Sequence, residues 1–231
     1  MNNTKKKSPI SWVPTAYFAM GLPFVVLNMV TVLMFKGLEV DDKLITFWTS
    51  LILLPWTLKP LWSPFLELFR TKKFFVIVTQ LITGVTFGLV AFALNLSHFF
   101  SISIALLAIV AFSGATHDIA CDGVYMSELS NEDQAKFIGW QGAFYNIAKI
   151  LATGGLVYLA GYFIELNADA GLLTANKRAW MIILLILSVT MILLGIYHLF
   201  ALPSTQSASS KKTLRSNKEV MKELGQVLMD F

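Results

Sequence analysis

The chain has 231 residues, of which 56% are hydrophobic and only 14% charged, with a formal net charge of +4. A soluble domain carries about 25% charged and about 45–50% apolar residues, so these proportions exclude an ordinary water-soluble globule. Cys121 is the only cysteine, which excludes an intrachain disulfide.

Six stretches of roughly 20 or more mostly apolar residues follow one another, each long enough to cross a hydrocarbon core of about 30 Å. They cover 12–36, 44–69, 73–94, 99–127, 136–165 and 178–202. The pattern predicts an all-α integral membrane protein with six transmembrane helices in one bundle. Residues 1–11 form a polar N-terminal flank and 203–231 a tail.

Lys5, Lys6 and Lys7 precede the first span as they would a signal peptide. The apolar run lasts about 24 residues without a small-x-small cleavage site, which predicts a retained span. Gly21 and Pro23 interrupt it, and Tyr17 and Asn28 are its candidates for a solute path. In the second span, Lys59 stands near the middle, and Pro55, Pro60 and Pro64 interrupt the run. Such breaks occur where transporter helices bend around a site, and also as plain packing kinks. Glu67, Arg70, Lys72 and Lys73 fill the connection to the third span.

The fourth span carries Asp118 and Asp122, spaced i, i+4 and therefore on one helix face. Asp118 lies 19 residues beyond Phe99, about 28 Å along the axis, which places the pair toward one end and not at mid-depth. An ionisable group in a span is costly and marks a functional candidate. Repulsion between neighbouring carboxylates favours proton retention by one of them, which suits a proton carrier. Pairing with Arg70, Lys72 or Lys73 would make the same residues a gate latch, and both roles stay open.

On the fifth span Gln141, Tyr145 and Lys149 recur at i, i+4, i+8 and form one polar stripe. With Lys59 they suit a water-filled solute path; the competing reading is an ion pair with an acid elsewhere. Ala111, Gly114 and Ala115 on the fourth span, and Gly139, Gly142 and Ala143 on the fifth, predict close helix approach. His98 and His198, at span ends, read as interfacial. Trp12, Trp48, Trp62, Trp140 and Trp180 read as an aromatic belt.

After Pro203 comes a flexible S-T-Q-S-A-S-S linker. Val220, Leu224, Val227, Leu228 and Phe231 then form one apolar helix face. This helix either lies on the membrane surface or belongs to an interdomain segment. The termini and the 70–73 and 128–136 connections carry twelve lysines and arginines, against four on the opposite connections. The positive-inside rule places both termini in the cytoplasm, so the net charge follows from topology and is not a nucleic-acid signal.

His117 and Cys121 share the spacing of a metal pair but lack further ligands at recognisable spacing, so no metal is expected. No phosphate-binding glycine loop is present for ATP hydrolysis. An intramembrane aspartyl enzyme would need its carboxylates to face each other, whereas these share a helix face. The reading is therefore a protein that is not an enzyme and carries no cofactor.

Three motifs carry a resemblance. Y-F-A-M-G-L-P (Tyr17 to Pro23), L-P-W-T-L-K-P-L-W-S-P (Leu54 to Pro64) and A-T-H-D-I-A-C-D-G-V-Y (Ala115 to Tyr125) lie in order on the first, second and fourth spans. They resemble signatures of the AmpG-type muropeptide permeases, which stand with the acetyl-coenzyme A transporters in the major facilitator superfamily. The resemblance covers roughly 12–200. It implies two six-helix bundles in an inner membrane, joined by a cytoplasmic loop, importing an anionic sugar-peptide with protons by alternating access. In W-S-P-F-L-E-L-F-R-T-K-K, Glu67 takes the family's acidic place and Arg70, Lys72 and Lys73 its basic ones, while Leu68 replaces a common arginine. Asp118 and Asp122 align with paired aspartates and Lys59 with a second-span lysine. By this resemblance Asp118, Asp122, Glu67, Arg70 and Lys72 serve proton coupling and gating. Lys59 and Lys149, with Gln141, Tyr145, Tyr17 and Asn28, would line the solute path. The implied partners are the lipid bilayer, protons, the solute, and a missing C-terminal six-helix half or a second copy; nucleic acid is not among them. A non-transporting scaffold, with polar residues that only hold helices together, is the rival reading.

Overall fold

The computed structural model describes residues 7–64, 66 and 71–203. Glu67, Arg70 and the tail beyond Pro203, with its linker and apolar helix face, lie outside the described residues. Every regular element among those described is helical. Five helices are long and apolar enough to cross a membrane: α1 (Pro9–Gly37), α4 (Lys72–Ala93), α5 (Phe99–Glu128), α6 (Asn131–Leu166) and α7 (Leu172–Ala201). Between α1 and α4 lie α2 (Asp42–Ile52), the single turn α3 (Leu54–Thr57) and a 3₁₀ turn, Lys59–Leu61.

The second predicted span, 44–69, is thus not one continuous helix among the described residues. The helix stops at Leu53, restarts for one turn, and stops again at Leu58. Pro55 and Pro60 account for both breaks. Proline lacks an amide donor, its ring crowds the preceding turn, and it pushes the residue before it away from helical geometry.

Side chains cap three of the helix starts. Asp41 accepts from the Lys43 and Leu44 amides to open α2, Thr71 from Phe74 for α4, and Ser130 from Asp133 for α6. Charged first turns explain why α6 begins ahead of its apolar run. Gly171 precedes α7 at φ 83°, where a side chain would be strained. Pro23 does not break α1; the helix absorbs the missing donor in a wide π-helical turn, Val26–Val30.

α4 packs along both α5 and α7, while α1 packs against α5 and the first half of α6. Helices in lipid associate by close packing and interhelical hydrogen bonds, because leaving lipid brings no hydrophobic gain. The α4–α7 contact illustrates this. A Cβ on Gly84 would lie 2.9 Å from the Ser188 carbonyl oxygen, and one on Gly195 would lie 3.0 Å from Leu81 Cδ2. Gly21 on α1 plays the same part against α6, where its Cβ would meet the Tyr145 carbonyl oxygen at 2.9 Å.

Two sequence expectations need correction. A Cβ added to Gly139 or Gly142 would meet nothing within 4 Å, so no helix among those described approaches them. Trp12 and Trp180 are buried, Trp12 with Val13, Val76, Cys121 and Leu202, and Trp180 with Ile183 and Leu187. Trp12 sits at a helix end and Trp180 lies inside α7, yet both turn inward and are core residues instead of belt residues. Trp48 and Trp140 remain exposed.

Candidate functional site

Two polar networks cross the bundle, one on each side of α5. The first begins with Asp118. Lys59 Nζ donates to Asp118 Oδ2 at 2.7 Å, and Trp56 Nε1 donates to the same oxygen at 2.8 Å. The Asp118 side chain is 11% exposed and that of Lys59 28%, so the ion pair is mostly desolvated on the acid's side. No donor among the described residues reaches Asp118 Oδ1, which is buried. The broken α2–α3 segment makes this geometry possible. Its two interruptions bring Trp56 and Lys59 up against α5, and Gly114 clears the space: a Cβ there would come within 2.9 Å of the Trp56 ring. Phe24 holds the other side of Trp56, edge to face at 5.2 Å.

One turn along α5, Asp122 accepts a hydrogen bond from Tyr17 Oη at 2.8 Å, and Gln141 Nε2 donates to the same hydroxyl at 2.8 Å. Tyr17 thus ties α1, α5 and α6 together. The ring of Tyr125 meets Tyr17 edge to face, and the Tyr125 hydroxyl donates to the Gln134 carbonyl at 2.6 Å. Tyr145 packs beside Gly21, half-buried.

The other proposed site residues are less closely gathered. Lys72 lies along Gly123 of α5, where a Cβ would touch its Cδ at 2.7 Å. Lys73 donates to the Leu202 carbonyl at 2.9 Å and clasps the start of α4 to the end of α7. The cation that meets Asp118 is Lys59, drawn from the broken segment. Lys149 is exposed on α6 and makes no ion pair among the described residues. Asn28 is exposed within the wide turn of α1.

The second network escaped the sequence reading. Gln80, His117 and His198 are 0%, 2% and 0% exposed, which corrects the interfacial reading of His198. They form a chain from α5 to α1: His117 Nε2 to Gln80 Nε2, Gln80 Oε1 to His198 Nδ1, and His198 Nε2 to Thr15 Oγ1, each at 2.9 Å. Nearby, Thr83 Oγ1 donates to Ser113 Oγ at 3.0 Å, which donates to the Thr79 carbonyl at 2.8 Å. The available signal was a glutamine alone in an apolar run, since polar residues there hydrogen-bond across helices. Among the described residues no group of three or more His, Cys, Asp or Glu could hold a metal ion.

What fold and site define together is a helical chain with five helices long and apolar enough to cross a membrane and a Lys–Asp ion pair inside the bundle. No family model, curated protein or solved structure matches it.

Proposed function

We propose that the chain is a six-helix bundle of a proton-coupled secondary transporter of the major facilitator type, moving an anionic sugar-peptide or related conjugate inward across a cytoplasmic membrane. The observation that carries this reading is the Lys59–Asp118 ion pair, held between a broken segment and a long helix at 2.7 Å. A charge pair is costly to place in an apolar bundle, and intramembrane charges mark ion and solute pathways by default. A proton on Asp118 would cancel its attraction for Lys59 and free the broken segment to move. Asp122, bound through Tyr17 to Gln141, would transmit that motion to α1 and α6.

α6 supplies the second support. Lys149, Ile138, Ile150, Tyr158 and Tyr162 are exposed on it, and Gly139, Gly142, Gly154 and Gly161 meet nothing within 4 Å. On this reading a second bundle, either a C-terminal half or another copy, packs there and closes the solute path. The positive-inside count puts the Trp12 and Leu202 end in the cytoplasm.

The test is proton-driven uptake by the complete transporter in proteoliposomes. Asp118→Asn is expected to lower uptake far more than solute binding. Equal losses of both, or no loss of either, would remove Asp118 from coupling. The scaffold reading also accommodates a buried ion pair, so solvent access decides between the two. Cysteine at position 145 or 149 reacts with a water-soluble thiol reagent if that face lines a wet path, and stays unreacted in a dry scaffold.

A further inference from the structure

The Thr15–His198–Gln80–His117 chain lies apart from the two aspartates, and its hydrogens can be counted. Gln80 presents its amide nitrogen to His117 Nε2 and its oxygen to His198 Nδ1. The amide nitrogen only donates, so His117 Nε2 must accept and the proton of that ring sits on Nδ1. The amide oxygen only accepts, so His198 Nδ1 carries a proton. The remaining nitrogen, His198 Nε2, faces the Thr15 hydroxyl at 2.9 Å, and this hydroxyl has a second acceptor, the Trp12 carbonyl, at 3.2 Å.

Two states therefore fit the same heavy-atom positions. With His198 neutral, the Thr15 O–H points at Nε2. With a proton added at Nε2, the ring donates to Thr15 Oγ1, whose own hydrogen swings to the Trp12 carbonyl. The three bonds of the chain survive in both, and the Thr15 bond to the Trp12 carbonyl forms only in the charged state. With the Gln80 amide in this orientation His117 has no such freedom, because a second proton on its Nε2 would face the amide hydrogens, donor against donor. His117 Nδ1 meets no acceptor among the described residues.

We propose that His198 is a proton-binding site of this bundle, with the Thr15 hydroxyl as its swivelling partner and Gln80 and His117 fixing the ring. Among the described residues, the charged and titratable groups around it are few. From α4, Lys73 reaches the Leu202 carbonyl, with Lys7 within electrostatic reach of it. From α5, His117 stands behind Gln80, with Lys59 acting on it in turn. From α1 come Thr15 and the Trp12 carbonyl, neither titratable. On α7 itself, the Tyr197 ring lies tilted at 5.5 Å, with its hydroxyl donating to the Ser11 carbonyl. The cations named here oppose a proton on His198, so its uptake belongs with hydration of this end of the bundle. A proton there weakens the Lys73 clasp between α4 and α7, which links acidity to opening of that end. The assignment does not depend on the transport reading.

The experiment is ring-nitrogen NMR of the full chain, labelled at histidine and reconstituted in lipid nanodiscs, titrated from about pH 8 to about pH 4. His98→Gln removes the signals of the exposed histidine. The expected result is that His198 passes from the Nδ1–H form to the imidazolium while His117 stays neutral with its proton on Nδ1. Thr15→Val removes the acceptor that the charged ring needs, and the proton affinity of His198 is expected to fall at least about tenfold. Thr15→Ser keeps the hydroxyl, and behaviour like the parent is expected. A His198 that stays neutral throughout, a His117 that charges first, or a Thr15→Val chain titrating like the parent would each overturn the proposal.

Discussion

His117 and Asp118 are neighbours on α5 yet send their side chains into opposite networks. On one side Asp118 meets a full charge from Lys59, and Asp122 accepts from the neutral hydroxyl of Tyr17. On the other, Gln80 and Thr83 of α4 make neutral hydrogen bonds to His117 and Ser113 of α5, beside the glycine-lined contact of α4 with α7. The α4–α7 side is tightly packed and continuous. The side holding Lys59 is built on a helix broken twice by proline and bordered by the exposed face of α6. The difference separates two kinds of contact: close backbones hold the α4–α7 wall along its length, its His198 end apart, whereas the Lys59–Asp118 pair loses its attraction once one member is neutralised.

The largest expected effect breaks the charged side. Lys59→Met leaves a buried carboxylate without its cation, and losing one member of a buried pair costs about 3–5 kcal/mol. Because Lys59 is 28% exposed, the lower end of that range is expected. Thermal unfolding in detergent would read this as a clear fall in midpoint. The double variant Lys59→Met/Asp118→Asn should recover most of the loss, since the stranded charge is gone. A double variant as unstable as Lys59→Met alone would mean that packing, not charge, holds the segment in place.

The neutral side breaks through its backbone spacing. Gly84→Val places carbon within 3 Å of the Ser188 carbonyl and Ile192, where neither backbone can yield cheaply. Overpacking of this kind costs about 1–3 kcal/mol. The same thermal assay should show the fall, and Gly88→Ala, facing only the Ser188 side chain at 3.1 Å, should lose less. Equal losses would mean that the wall is looser than the spacing implies. Smaller again is Tyr17→Phe, which removes one hydrogen bond to Asp122 and the acceptor used by Gln141. A net hydrogen bond is worth about 0.5–1.5 kcal/mol, somewhat more when it meets a charge.

Hydropathy made the long helices legible, because about 20 apolar residues in succession have few other uses. Polar caps such as Ser130 blurred their ends. The prolines of the second predicted span announced breaks, but not which way the pieces would turn, since that depends on Gly114 making room for Trp56. Of the site, Asp118, Asp122 and Lys59 stood out as charges in apolar runs. Their pairing was open to a simple rule, that buried charges seek one another, yet the local lysines at 72 and 73 offered nearer partners in sequence. Gln80 and His198 were missed because a neutral side chain in a span carries no charge signal, and because nearness to a helix end says nothing about which way a ring points.

The smallest effect separates the covered face of the bundle from the open one. A Cβ on Gly142 meets nothing within 4 Å, so Gly142→Leu should change the stability of this chain by no more than about 0.5 kcal/mol. Gly84→Val on the packed face, with less added bulk, should cost several times that. The open face acquires meaning only if a second bundle covers it, and small residues there would let that bundle's backbone come close. Native mass spectrometry of assembled transporter, or of paired copies of this chain, would then show Gly142→Leu weakening the association that the isolated chain's unfolding does not register. An association as strong as the parent's would mean that this face meets lipid, and the second bundle would have to be placed elsewhere.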